Sequence, residues 1–365
     1  MKLSINKNEL QTALGVVAKG ATTRSTLPIL SGILLKAYED TLTLEATNME
    51  LSVRCSLPAL IEEEGSTVIP SKLITDVVKS LPDSAVHIET KEDTEEAKVL
   101  CDTSSFSIKT LNAEDFPGFP EVNGEDRITI PFATFSHMVR RVARIVSKDE
   151  SRAILTGVLI EAGNNILRMV ATDSYRLAVT DTDFEGIVDF NAVIAGSFLS
   201  ELASLPEGNE TIDLALAENQ IIATYGNTTF VNRRIEGNFP RYNQLIPDTH
   251  ETRAVYDTKQ LMEAVKRTSV LSNKTAPVKF DLNGASQTTQ ISTASKDIGA
   301  ASETIVSSME GGDAVIAFNF GYVIDGLSSV ETDKVYLELQ GSQRPGIFKS
   351  EETERFLYLI MPVRL

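Results

Sequence analysis

The chain has 365 residues, 42% of them hydrophobic, enough for two or three packed domains and too apolar for general disorder. No run approaches the roughly 18 apolar residues of a membrane span, and Met1-Lys2-Leu3-Ser4-Ile5 alternates like a strand instead of opening a signal segment, so the reading is a cytoplasmic protein with no membrane partner. A net charge of −17 argues against nucleic acid unless the Lys and Arg side chains are gathered in one place.

Taken in chain order, Leu10, Ala13, Leu14 and Val17 recur at helical spacing and predict a helix over 7–19. Residues 29–35, 41–46 and 51–57 alternate or run continuously apolar, as strands do. The pattern restarts at Thr67-Val68-Ile69, followed by a short helix from Ser71 to Leu81 that stops before Pro82. Cys55 and Cys101 show neither metal spacing nor a disulfide framework and read as buried thiols; His87, His137 and His250 are too scattered for a metal site. No cofactor motif is present.

From residue 127 onward the sequence repeats itself. At an offset of 125, Lys2-Leu3-Ser4-Ile5 falls on Arg127-Ile128-Thr129-Ile130, Leu30-Ser31-Gly32-Ile33-Leu34 on Leu155-Thr156-Gly157-Val158-Leu159, and Ala46-Thr47-Asn48 on Ala171-Thr172-Asp173. A third copy opens at Arg253-Ala254-Val255, with Ser292-Thr293 where Ala171-Thr172 stood. The copies also end alike, on Phe106-Ser107-Ile108, Phe230-Val231-Asn232 and Phe356-Leu357-Tyr358. Three domains follow, over 1–122, 123–248 and 249–365. Each is expected to be α+β, built of two β-α-β-β-β-like units with antiparallel sheets.

The charge is distributed in register with that repeat. The first helix of each copy with its flanks (8–24, 132–152 and 257–274) carries +1, +3 and +2, against −17 for the whole chain. In the middle copy Phe132, Phe135, Val139, Val142 and Val146 form an apolar stripe, and His137, Arg141, Arg144 and Lys148 a separate cationic one. If equivalent helices face a common axis, their cations meet there and duplex DNA is held through its phosphates, without sequence readout. Size sets the number of domains. A 120-residue domain is roughly 35 Å across, three leave a hole of about 5 Å and six about 35 Å, against a duplex of roughly 20 Å. Two chains in a head-to-tail, two-fold ring are required.

Arg24 before Thr26-Leu27-Pro28-Ile29-Leu30, Ala171-Thr172-Asp173 followed by Arg176-Leu177, Phe239-Pro240 and the terminal Met361-Pro362-Val363-Arg364-Leu365 resemble the bacterial sliding clamps, the beta subunits of DNA polymerase III, over the whole chain. The resemblance implies a homodimeric ring that tethers the replicative polymerase to DNA. It also implies a pocket for short linear peptides of the DNA polymerase III catalytic subunit, the clamp loader, other polymerases and repair proteins. Carried over by position, that pocket involves Leu155, Thr172, Ser174, Tyr175, Arg176, Leu177, Pro240, Leu245, Leu359, Ile360, Met361 and Pro362. The DNA-facing set is Arg24, Lys72, Arg140, Arg141, Arg144, Lys148, Arg152, Lys266 and Arg267. Phe106 and Ile108 are expected to meet Val270 and Leu271 of a second copy.

Two other function classes compete. For an enzyme, Asp181-Thr182-Asp183 suggests a metal pair, but a polar turn after the 177–180 strand is the better account of it; no phosphate loop, zinc spacing or nucleophile elbow is present. Thr172-Asp173 has counterparts in Thr47-Asn48 and Thr293-Ala294, which favours a repeated turn over catalysis. A repeat scaffold that binds only proteins through its acidic outside is the second rival.

Overall fold

A computed structural model describes residues 1–90, 95–120, 124, 126–186, 189–272, 277–295, 298–350 and 355–364. The expected boundary at 122/123 lies outside the described residues. Six α-helices occur among them, two in each expected repeat: α1 (Lys7–Val17) and α2 (Ser71–Ser80), α3 (Phe132–Val142) and α4 (Gly196–Leu202), α5 (Thr258–Ser269) and α6 (Phe320–Leu327). Each follows directly on a strand, and the sequence at the junction turns the chain. The Asn6 side chain accepts the Asn8 and Glu9 N–H groups at 2.9 and 3.2 Å at the start of α1, and Asp257 accepts Gln260 N–H at 2.8 Å at the start of α5. Such a cap is worth about 1 kcal/mol. Leu10, Ala13, Leu14 and Val17 are buried along α1, as Leu261, Ala264 and Val265 are along α5.

Among the described residues the strands form four antiparallel sheets in two compact units. The first unit, Met1–Phe132 with Leu205–Arg234, holds a five-stranded sheet in the order Leu60–Glu63, Lys2–Asn6, Ala85–Thr90, Glu96–Cys101, Ser104–Lys109. It also holds an eight-stranded sheet in which Thr228–Arg233 lies against Leu51–Pro58, Phe230 opposite Val53. The second unit, Ala133–Ser204 with Ile235–Leu365, holds a nine-stranded sheet in which Phe356–Ile360 lies against Arg176–Asp183, Leu359 opposite Leu177. Its other sheet has four strands, in the order Gly299–Val306, Thr288–Ser295, Pro277–Asn283, Ala314–Asn319.

These joints obey one rule. The last strand of one repeat pairs with the strand of the preceding repeat that follows the Ala-Thr-Asn/Asp turn. Ser104–Lys109, the last strand of the first repeat, and Gly299–Val306, the matching strand of the third, both stand at sheet edges.

Most sequence-predicted elements are present, with three differences. Residues 28–31 form a 3-10 turn and the strand begins at Gly32, because proline at the first position favours a helical start. The strand expected to end near Thr180 continues to Asp183, which removes the predicted polar turn. The middle helix stops at Val142 and gives way to a 3-10 turn over Ala143–Ile145, so Arg144 and Lys148 lie beyond it.

Candidate functional site

The cations come first. Arg24 is exposed in the segment after α1, Lys72 in the first turn of α2, Arg140 on α3, Arg144, Lys148 and Arg152 after it, and Lys266 and Arg267 in the last turn of α5. Lys274 lies outside the described residues. Arg141 does not join them. It is 2% exposed, its guanidinium lies over the Phe356 ring at 5.2 Å, and its carbonyl accepts the Ser329 hydroxyl at 3.3 Å. The expected cationic stripe failed there because α3 seats that side chain on the sheet strand Phe356–Ile360. His137, from the same stripe, pairs with Glu331 at 3.1 Å. Arg267 is exposed, but Glu303 holds it with bonds of 2.6 and 2.9 Å.

Leu177 and Leu359 mark one face of the nine-stranded sheet as the floor of the expected pocket. Side chains alternate along a strand, so Leu177 and Leu359, opposite each other, share a face with Val170, Val179 and Ile347. Ile154, Phe239 and Ile246 pack on that cluster with Tyr242. Thr172, opposite Leu177, and Leu155 are buried, while Leu245, Met361 and Tyr175 are 47%, 41% and 58% exposed. Pro240 and Ser174 are exposed, and Pro362 half-buried. The C-terminal segment is tied to the Thr172–Arg176 turn where the Met361 N–H donates to the Tyr175 carbonyl at 2.9 Å. Ile360, 0% exposed, corrects the expectation: it lies opposite Arg176, and alternation turns both to the helix-covered face. They support the pocket from behind.

The Thr172–Arg176 turn is built by its own side chains. Asp173 accepts the Tyr175 and Arg176 N–H groups at 2.9 and 3.1 Å, and Ser174 takes a φ of 79°. The turn at Thr47–Leu51 is made in the same way: Asn48 accepts Glu50 and Leu51 N–H at 2.9 and 2.7 Å, with Met49 at φ 75°. The expected repeated turn is present in these two copies, whereas Thr293-Ala294 lie within the strand Thr288–Ser295, paired with Ala301 and Ala300. The Asp181 carboxylate receives Arg168 in two bonds of 2.8 and 2.7 Å, and Asp183 receives Arg355 at 2.6 Å, so this pair serves ion pairs.

Arg176 is the electrostatic centre behind the pocket. It bonds Asp173 at 3.0 Å, the Tyr358 hydroxyl at 3.3 Å and Asp325. Its Cζ sits 4.3 Å from the Tyr322 ring centre, and Tyr322 stacks at 6.5 Å on Tyr175. Burial pushes the Tyr358 phenol well above its usual range, against the pull of Arg176. Sequence reading missed Tyr322, Asp325, Tyr358, Phe239 and Tyr242. Phe239 and Tyr358 adjoin Pro240 and Leu359 in the chain, but Tyr322 and Asp325 on α6 and Tyr242 on the 3-10 turn Tyr242–Leu245 come to the pocket only through the fold. A neighbouring cleft of about 430 Å³ is lined by Ser342, Gln343, Ala317 and Met361–Arg364. Arg152 bridges two candidate regions: its Nε donates to Asp149 at 2.9 Å and its Nη1 to the Ser174 hydroxyl at 3.2 Å.

Two of the expected interface residues lie on one edge strand and two near the other. Phe106 is half-buried and Ile108 only 6% exposed on Ser104–Lys109, so the backbone edge is the more accessible feature there. Val270, 76% exposed, and Leu271 follow α5; a side-chain carbon at Gly299, on the other edge strand, would lie 3.9 Å from Leu271 Cδ1.

Comparison with known proteins agrees with this geometry along the whole chain. Models of the N-terminal, central and C-terminal domains of the DNA polymerase III beta subunit match residues 1–120, 129–241 and 243–364. The beta sliding clamp of Staphylococcus aureus is 30% identical over 375 residues, covering 100% of this chain and 99% of the relative. The DNA polymerase sliding clamp of Bacillus subtilis superposes with a TM-score of 0.94 at 30% identity, over 100% of this chain and 99% of that one. The sliding clamp of Pseudomonas aeruginosa bound to griselimycin gives 0.93 at 29%, with both chains fully covered. Three domain models spanning the chain, over the fold and strand pairing described above, show that it belongs to the DNA polymerase III beta subunit family, the sliding clamps.

Proposed function

We propose that the chain is a non-catalytic processivity factor: a head-to-tail homodimer closed around duplex DNA, holding the replicative polymerase and other DNA-processing proteins to it. The strand-pairing rule is the observation that carries ring closure. Two of the three joints it calls for occur within the chain, and Ser104–Lys109 and Gly299–Val306 are the strands of the third. Pairing each with its counterpart on a second copy completes the set twice, with Phe106, Val270 and Leu271 beside the seams. Three domains over 1–122, 123–248 and 249–365 are part of the same proposal.

Phosphates are met by Arg24, Lys72, Arg140, Arg144, Lys148, Arg152 and Lys266, with Arg267 contributing once Glu303 yields it. None of these forms a base-reading array, so binding is sequence-independent and weakens as salt displaces it. The pocket around Leu177, Leu245, Leu359 and Met361 receives short peptides, with Leu155, Thr172, Ser174, Tyr175, Pro240 and Pro362 at its margins. An unbranched thioether at the mouth suits a site with several partners. The site of action is the cytoplasm, and an ATP-driven loader opens the ring.

The test is topological. Protein loaded on circular duplex stays bound through a high-salt wash and is lost when one cut linearises the circle. Equal loss from circle and linear DNA refutes encirclement.

A further inference from the structure

The apolar pocket is one end of a longer surface. Register carries the same sheet face past Leu177 and Leu359 to Val179 and Leu357, then to Arg168, Asp181 and Lys349, with Glu338 and Arg253 on the adjoining strands. Tyr242 and Ile246 belong to the apolar cluster of the pocket and also line a cavity of about 610 Å³ at this far end. The two regions therefore share a wall, and their apolar floor is continuous.

The far end is ionic, and two of its cations share one carboxylate. Arg168, Arg253, Lys349 and Arg355 line the cavity against Asp181, Asp248 and Glu338. Arg168 is fully engaged by Asp181. Glu338, by contrast, is one buried carboxylate shared among Lys349 at 2.6 Å, Arg253 at 3.6 Å and His250 at 3.7 Å. The Arg253 contact is too long for a hydrogen bond; its Nε is buried without a partner and its guanidinium lies 4.2 Å from the Tyr336 ring centre. A guanidinium held against an aromatic ring, with a carboxylate it only partly engages, is preorganised for a second carboxylate.

Resting on the peptide-pocket reading, we infer that the partner segment continues beyond its apolar anchors, and that this cavity receives acidic side chains flanking them, with Arg253 and Lys349 as the receiving cations. Partners with an acidic flank are thereby favoured over partners with the apolar anchors alone.

Synthetic peptides test this on the full-length protein by fluorescence anisotropy. One carries only an apolar Leu/Phe anchor motif, and others carry the same motif with three glutamates or three serines added at either end. A glutamate tail at one end is expected to tighten binding about three- to tenfold in low salt, and serine tails not at all, since two partly exposed ion pairs contribute on that order. Arg253→Gln removes the gain and leaves the bare motif unchanged; Glu338→Gln, which releases Lys349 and Arg253 from their shared carboxylate, enlarges it. No gain from either glutamate tail, or a gain that survives Arg253→Gln, overturns the inference while the pocket stands. Loss of all binding in Leu245→Ala with Met361→Ala confirms that the anchors seat in the pocket. If no peptide binds the unmodified protein, the pocket reading fails and this one with it.

Discussion

Arg141 and Arg144 sit three residues apart and should behave in opposite ways. Arg141→Gln is expected to lower stability by about 1–3 kcal/mol and leave DNA affinity unchanged, because the side chain is buried over Phe356. Arg144→Gln with Lys148→Gln should lower affinity and flatten its salt dependence without moving the melting temperature. Binding titrations at several salt concentrations, beside thermal unfolding, separate the two. The tyrosines give a pH prediction. Burial raises the phenols of Tyr256 and Tyr358 above their ordinary value of 10.0. The unfolded chain then ionises first, so stability is full below pH 10 and falls as pH climbs past it. Unfolding in denaturant across that range, followed by tyrosinate absorbance, checks the sign. Gly326 on α6 is a steric counterpart: a side-chain carbon there would lie 2.2 Å from the Tyr358 ring. Gly326→Ala should cost about 1–3 kcal/mol and, by shifting the ring that carries the Arg176 bond, weaken peptide binding as well.

Among the elements, the strands Arg176–Asp183 and Phe356–Ile360 do the most for the pocket, since their pairing brings Leu177 to Leu359 and Arg176 to Tyr358. Proline at Val179 removes a donor from the middle of that ladder and should abolish peptide binding along with much of the stability of the second unit. Leu245→Ala with Met361→Ala, both partly exposed, should abolish only the binding. The repeat, its helices and most strands were legible from periodicity, because every copy reuses one pattern of buried positions. The cationic bias was legible too, but not which cations survive. Arg141 and Arg144 look alike in sequence, and only the end of α3 at Val142 and the sheet beneath it tell them apart. Ile360 was misplaced for a similar reason. A run such as Phe356–Ile360 is apolar on both faces, so alternation assigns no face until a partner strand is known. Tyr322 and Asp325 carry no local signal at all.

At the scale of the whole molecule, the size estimate requires two chains, and solution mass by light scattering should report a dimer at micromolar concentration. A proline at Ser107, in the middle of the edge strand Ser104–Lys109, should yield monomers that keep their fold, lose retention on circular DNA and still bind peptide. The two unpaired edges carry a further consequence. They are unlike, so each copy resembles a bifunctional monomer in a condensation polymer, with one donor end and one acceptor end. The edges do not themselves limit such a chain to two members; only curvature does. A proline in Thr228–Arg233, which would loosen a sheet joint inside the chain, would relax that curvature while leaving both edges intact. The outcome would be a ladder of larger rings and open fibres, in place of a monomer, and electron microscopy would show it directly.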